Sequence, residues 1–336
     1  MKAYKLFPEE GLQALKIIEQ SSRAVGATEV KVRVRAVSLN YRDLMIAKGA
    51  KKANRTNPLT PVSDGAGEVV EVGASVKALK PGDRVMASFF PTWLDGPLSD
   101  YHHANALGGG TDGMLSEEVI LDQSSWLKIP EHLSFEQAST LPCAGLTAYH
   151  ALFEAANLRP GDTVLLQGTG GVSIMALQIA KAAGATVLMT SSSAEKAARA
   201  KALGAAEVFD YKQNLAWGEA AKAWTKGRGV DIAIEVGGPG TFDQTIASLR
   251  YGGTMSILGV LTGTRGEVNT YAIFHKTLRV AGVYVGSVAM FEKLNRALAA
   301  NKIEPVVDKT FAFEQAKEAY EYLASGNHFG KVVVRV

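Results

Sequence analysis

The chain has 336 residues, with 36 basic against 33 acidic side chains, a formal net charge of +3 and 47% apolar residues. That length suits one large or two ordinary globular domains, and with 21% charged residues and no basic tract there is no electrostatic footprint for tracking nucleic acid. The lone cysteine, Cys143, excludes intramolecular disulfides and any four-cysteine zinc site, and it suits a reducing compartment.

In chain order, the opening MKAYKLFPEEG reaches Glu9 and Glu10 before an apolar stretch of signal-peptide length develops, so a cytoplasmic location is expected. Through residue 130, VKVRVRAVSL alternates at period two, and turns such as KPGDR (80–84) separate short strands. This predicts a compact, mainly antiparallel or barrel-like β domain. The segment 91–115, rich in glycine and aromatics, is long for a connection and is expected near a substrate mouth. It contains the adjacent His102 and His103, which on a strand or extended loop would point opposite ways and are read as surface residues.

From about residue 160, short β-branched runs alternate with helical stretches, the rhythm of parallel β-α-β units. The predicted strands are DTVLLQ (162–167), TVLMT (186–190), EVFDY (207–211), VDIAIEV (230–236), TMSILGV (254–260) and LRVAGVYVG (278–286). AKAAGATV (180–187) is echoed by AKALGAAEV (200–208), each copy with glycine at a helix exit. Strands that are apolar throughout, with no alternation, are covered by helices on both faces, which predicts a doubly wound six-stranded parallel sheet. The uncharged run Thr163 to Ala180 spans 18 residues, but Gly168, Gly170 and Gly171 interrupt it, so it reads as strand, turn and helix, not as a membrane span. The tail, with amphipathic FEKLNRALAANK and FEQAKEAYEYLASG and the terminal strand KVVVRV (331–336), is expected to return to the first domain.

The turn after the first parallel strand reads Gly168-Thr169-Gly170-Gly171-Val172-Ser173, a G-x-G-x-x-G phrase with serine at the third glycine. The first glycine permits the tight turn, the second lets the backbone approach a pyrophosphate, and the third serves close helix–strand packing. Its place between a predicted strand and helix makes it a dinucleotide site. The end of the second strand reads Thr190-Ser191-Ser192-Ser193-Ala194-Glu195-Lys196. Glu195, three residues after Ser192, forms a capping-box spacing. A helix start with several hydroxyls and Lys196 suits a phosphate better than the neutral ribose diol of NAD, so NADP is the expected cofactor; a solvated helix lysine is the plain alternative. Tyr211, at the exit of the third strand, either flanks the adenosine phosphate or packs at the edge.

Matching phrases run nearly end to end: SLNYRDL (38–44), PVSDGAGEVVEVG (61–73), KPGDRV (80–85), LPCAGLTAYHAL (141–152), GTGGVS (168–173), EVGGPGT (235–241) and HFGKVVV (328–334). By these the chain resembles the medium-chain dehydrogenase/reductase superfamily, and within it the zinc-independent quinone-oxidoreductase-like and alcohol-dehydrogenase-like branch. The resemblance implies a GroES-like catalytic domain, placed at 1–140 and 287–336, a Rossmann NADP-binding domain at 141–286, a cofactor cleft between them, and homodimers that join Rossmann sheets edge to edge through LRVAGVYVG. An apolar sheet edge is in any case a surface that proteins cover or pair.

Zinc-dependent relatives place a cysteine in the segment matched by SLNYRDL, a His-Glu pair in that matched by PVSDGAG, and a later cysteine or aspartate. Here those positions hold Asn40, Ser63 with Asp64, and Cys143, too few protein ligands for a catalytic zinc, so no metal is expected. Cys143 reads as a small residue at a domain junction. Asn40 matches an asparagine that zinc-free relatives place near the nicotinamide and its ribose, where an amide both donates and accepts; a turn-forming role is the alternative. Tyr41 is the nearest candidate acid in sequence, with core packing as its alternative. Some relatives carry a tyrosine in a G-x-Y phrase; here Gly49-Ala50-Lys51 lacks it. By resemblance Thr147 faces the cofactor, and Phe329, Gly330 and Lys331 close on its nicotinamide side or serve structure alone. Gly237 and Gly259 stand at the C-terminal ends of the fourth and fifth strands, where open parallel sheets bind ligands.

The expected function is NADP(H)-dependent, zinc-independent hydride transfer involving a quinone, an enone or a simple carbonyl/alcohol pair, with a small molecule as substrate. The rivals are an acyl-thioester enoyl reductase and an NADPH-binding protein with little turnover.

Overall fold

The computed structural model describes residues 1–7, 11–49 and 58–336. The expectations on Glu9, Glu10, Ala50 and Lys51 lie outside the described residues. The chain divides into two compact units, Met1–Leu146 with Val285–Val336, and Thr147–Tyr284. These divisions fall six residues later and two residues earlier than the sequence boundaries of 140 and 287.

In the first part of the chain the strands are β1 (Lys2–Leu6), β2 (Leu15–Glu19), β3 (Glu29–Leu39), β4 (Asp64–Val72), β5 (Arg84–Ala87), β6 (Glu118–Asp122) and β7 (Trp126–Lys128). In the second unit come β8 (Thr163–Leu166), β9 (Thr186–Ser191), β10 (Glu207–Asp210), β11 (Val230–Glu235), β12 (Leu249–Ile257) and β13 (Arg279–Gly282), and the chain ends with β14 (Val307–Ala312) and β15 (Lys331–Arg335).

The first unit is built on β3. Its alternation buries Val30, Val32 and Val34 while Arg33 stays exposed, as period two requires. It pairs antiparallel with β4, β6 and β15, and the sheet runs β14-β15-β3-β4-β5-β7. The tail therefore does return: Val332 lies opposite Leu39 and Val333 opposite Ser38. The helix Ala316–Ser325 turns Tyr320 and Leu323 into the same core.

The second unit is the predicted six-stranded parallel sheet, in the order β10-β9-β8-β11-β12-β13. Chain order reverses direction between β8 and β11, and such a switch point is where an open parallel sheet receives ligands. The strands β8 and β11 are buried throughout, as continuous apolar runs predict. The helix Ala194–Leu203 ends on Gly204 at φ +113°, a left-handed position that glycine takes cheaply. Among the described residues no helix is long and apolar enough to cross a membrane.

Segment 91–115 carries two local features beyond what its sequence predicts. His102 and His103 lie on a short helix, Asp100–Ala104, whose start is capped by Ser99, and His102 Nδ1 is 3.3 Å from Thr92 Oγ1. The glycine run of 107–113 is packed against its surroundings: a Cβ on Gly108 would meet the Val62 carbonyl carbon at 2.6 Å, and one on Gly110 would meet the Ala104 carbonyl oxygen at 1.7 Å. Those glycines permit close backbone approach and make a closely packed wall.

Candidate active site and nucleotide half-site

In the first unit, sheet register brings three strand ends together. Asp64 starts β4 opposite Ser38, Asn40 follows the end of β3, and Lys331 starts β15 one residue before Val332, which faces Leu39. The Lys331 ammonium, almost fully buried, donates to Leu39 O and to Asn40 Oδ1. Asn40 Nδ2 donates to Ser63 Oγ at 3.4 Å, Ser63 Oγ donates to Asp64 Oδ1 at 2.7 Å, and Asp64 Oδ2 accepts the Cys143 N–H at 3.0 Å. Asn40 is also the N-cap of the helix Tyr41–Ala47, and its own N–H donates to Asp43 Oδ2 at 2.8 Å, the return half of a capping box.

Four charged groups, Asp43, Asp64, Lys331 and Arg42, crowd this corner. Burial pushes the Asp43 carboxyl up to about 6, against the pull of the Arg42 guanidinium at 4.0 Å. Burial likewise raises Asp64, with Lys331 acting against it, and lowers Lys331, with Asp64 acting against that. The Cys143 thiol is pushed far up by burial and by the neighbouring Asp64 charge, which disfavours a thiolate. Arg42 donates to Leu107 O at 2.6 Å and lies 4.5 Å over the Phe89 ring, tying the glycine-rich wall to the pocket.

These residues do not fit a zinc ion. Asp64 is the one carboxylate at the positions matched to zinc ligands and both its oxygens are engaged, Cys143 is the one thiol, and an ammonium stands among them. Among the described residues no group of three or more His, Cys, Asp or Glu side chains could hold a metal. Sequence reasoning named Asn40, Ser63, Asp64, Cys143 and Lys331 but missed Asp43 and Arg42. The signal for Asp43 was present, since Asn40 and Asp43 have N-cap-to-N3 spacing.

Tyr41 is 47% exposed, which removes core packing as its role. Phe329 is buried. Gly330 takes φ +80°, and a Cβ there would meet Val306 O at 2.6 Å.

In the second unit the phosphate-loop signal sits at the C-terminal end of β8. Gly168 adopts φ +68° and its N–H donates to Thr190 Oγ1 at 3.1 Å. A Cβ added to Gly168 or Gly170 would meet nothing within 4 Å, so the backbone face is open where a pyrophosphate would approach. Gly170 is the N-cap of the helix Gly171–Ala182 and provides no side-chain acceptor, leaving Gly171 and Val172 at a helix start suited to an anion. Ser173, in place of the third glycine, is buried and donates to Gln167 O at 2.7 Å, so the hydroxyl is absorbed by the turn.

At the end of β9 the cap is Ser193, whose Oγ accepts the Lys196 N–H; Ser192 is not the cap, and Glu195 is the second helical residue and makes no capping box. Three consecutive serines offer equal cap propensity, and only the strand's exit geometry chooses among them. Asp210, paired with Ser191 across β10 and β9, accepts from Lys212 N and Gln213 N, so this neighbouring carboxylate is turned into its own loop. Tyr211 follows, 39% exposed, its N–H on Ser191 O. Thr147, at the start of this unit, is buried.

Gly237 and Gly259 serve close approach. A Cβ on Gly237 would lie 2.2 Å from Thr241 Oγ1 and one on Gly259 2.2 Å from Val236 O. The Gly237 N–H is taken by Glu235 and Gln167, and its carbonyl by Thr262. Both polar backbone groups of Gly237 are therefore occupied within the protein. At their centre is Glu235, fully buried at the switch point: Oε1 accepts from Gly237 N, Gly238 N and Thr241 Oγ1, and Oε2 from Gln167 Nε2 at 2.6 Å and from Thr245 Oγ1. This network was not legible in the sequence, because its members are scattered from 167 to 245.

The alcohol dehydrogenase GroES-like domain model matches residues 26–131 and the zinc-binding dehydrogenase model residues 171–300. The chain is 43% identical to a zinc-type alcohol dehydrogenase-like protein of Schizosaccharomyces pombe over 314 residues, 92% of this chain and 91% of that protein. It is 30% identical to an acryloyl-coenzyme A reductase of Metallosphaera sedula over 330 residues, 96% of each chain. A solved structure described as an NAD-dependent alcohol dehydrogenase superposes with a TM-score of 0.90 at 31% identity, covering 100% of both chains. The chain belongs to the medium-chain dehydrogenase/reductase superfamily and is an oxidoreductase of the alcohol dehydrogenase-like or quinone oxidoreductase-like kind.

Proposed function

We propose that the protein is a zinc-independent, NADP(H)-dependent oxidoreductase acting on a quinone, an enone or a simple carbonyl/alcohol pair. The observation that carries the reading is the hydrogen-bonded cluster at the positions matched to metal ligands, where Lys331 holds Asn40 Oδ1 and thereby fixes which way the Asn40 amide points. Asn40 Nδ2 is engaged by Ser63 and Asp64, and one of these contacts gives way when it polarises a substrate oxygen without a metal. The cofactor supplies or accepts the hydride when bound. Gly168, Gly170, Gly171 and Val172 would hold its pyrophosphate, with Thr147 and Gly259 as further contacts. The exposed Tyr41 hydroxyl is assigned as the proton donor.

The preference for NADP rests on the end of β9. Ser193 caps the helix that carries Lys196, Ser192 precedes it, Arg199 stands one turn further on the same helix face, and the carboxylate at the neighbouring strand end, Asp210, is engaged in its own turn. Lys196→Ala should raise the NADPH dissociation constant about tenfold to a hundredfold and leave NADH nearly unchanged, since the loss is one charge-assisted hydrogen bond of roughly 1.5–3 kcal/mol. Fluorescence titration of both cofactors checks it, and equal weakening of the two would sink the assignment.

The second reading, an enoyl-thioester reductase, is favoured by the similarity to the acryloyl-coenzyme A reductase. A panel of quinones, enones, aldehydes, alcohols and acyl-CoA enones, assayed with both cofactors and alongside metal analysis, separates the two. Turnover confined to the thioesters would select the second reading, and one activity-linked zinc per chain would discard the metal-free one.

A homodimer through β13 is also proposed. Val280 and Tyr284 at that edge and Tyr251, Tyr271 and Phe274 on the same unit are all exposed large apolar side chains. Light scattering should give twice the chain mass or a multiple of it. The lone Cys143 accords with a cytoplasmic site of action.

A further inference from the structure

Deepening the metal-free reading, we propose that the Lys331 ammonium is the resident cation of the pocket. It takes the electrostatic place of a metal among the former ligand positions, and it both balances Asp64 and fixes the Asn40 amide.

The geometry is specific. Lys331 donates to Leu39 O and Asn40 Oδ1, the residue at the first position matched to a zinc ligand, while the Asp64 carboxylate, at another, favours its charge against burial. Antiparallel pairing of β15 with β3 delivers the lysine there, because Val332 is locked opposite Leu39. Gly330, at φ +80° and packed on Val306 O, sets the entry of the strand. A divalent cation entering this corner would meet a fixed positive charge in a low-dielectric setting, and the repulsion would outweigh what the donors here return. On this view, losing the metal ligands and holding the lysine are one change of design.

The test restores ligands and then removes the lysine, with cobalt(II) as the probe. Asn40→Cys/Ser63→His supplies three donor side chains together with Cys143. Cobalt binding, read by its ligand-field and thiolate charge-transfer absorption, is expected to be weak in that variant and at least about tenfold tighter once Lys331→Met is added. Equal cobalt affinity with and without Lys331 would overturn the proposal. Because removing one member of a buried charge pair can itself unfold a protein, melting temperatures of Lys331→Met, Asp64→Asn and the double variant give a second readout. Lys331→Met is expected to lower the melting temperature by roughly 5–10 °C, and Asp64→Asn to restore much of that loss in the double variant. A loss of the same size with and without the Asp64 carboxylate would also refute it. Failure of the metal-free reading looks different: wild-type protein would carry zinc.

Discussion

Glu235 in the second unit and Asp43 and Asp64 in the first are buried in opposite ways. In the second unit Glu235 is enclosed by neutral donors, two backbone N–H groups, two threonine hydroxyls and a glutamine amide, which meet both oxygens. In the first unit Asp43 and Asp64 are buried with few donors each, Asp43 Oδ1 has no hydrogen-bond partner, and balance comes from Arg42 and Lys331 at a distance. A carboxylate satisfied by dipoles behaves as a structural pin, whereas one balanced by charges stays sensitive to protons and to the loss of its partners. The first arrangement stiffens a switch point. The second leaves a polar corner with chemistry in reserve.

The contrast is sharpest if Glu235 is removed. Glu235→Ala strips partners from several buried donors and leaves a cavity, and should cost about 3–5 kcal/mol, measured by denaturant unfolding; a loss below about 1 kcal/mol would mean the network is not a pin.

Asp43→Asn should do the reverse. The folded Asp43 titrates at about 6, above the value of about 3.9 for an unfolded aspartate, so the folded state binds the proton more tightly. Ionised Asp43 is then a cost, present above pH 6 and relieved as pH falls through that window to the unfolded value. At pH 7 the variant should be about 1–3 kcal/mol more stable than wild type, and at pH 3 equal to it. A stability difference independent of pH would break the comparison.

A smaller effect with the opposite pH sign is expected at Asp231. Burial raises this carboxyl, but Thr163 N, Arg250 and Arg228 together outweigh burial and hold it below the usual range. Its stabilisation is present above the unfolded pKa and lost as pH falls through the folded one. Asp231→Asn should cost about 1–2 kcal/mol at pH 7, with the gap closing in acid.

Much of this was legible in residue order. The βα rhythm from residue 160, the glycine phrase at 168–171 and the tail strand KVVVRV all appear where local pattern placed them. One local error has a plain cause. Ser192 was preferred to Ser193 as the cap, because neighbouring residues of equal propensity are separated only by where the preceding strand ends.

The sequence by itself determined the architecture, since apolar periodicity and glycine placement act through contacts a few residues apart. It also determined which side chains stand at the positions matched to zinc ligands, a matter of side-chain identity alone. Only the tertiary structure decided which partners they meet. Lys331 reaches Asn40 across 291 positions, and Glu235 gathers donors as far as 68 residues away. Such meetings depend on strand register, and register is set by the packing of whole sheet faces, which no short stretch of sequence carries.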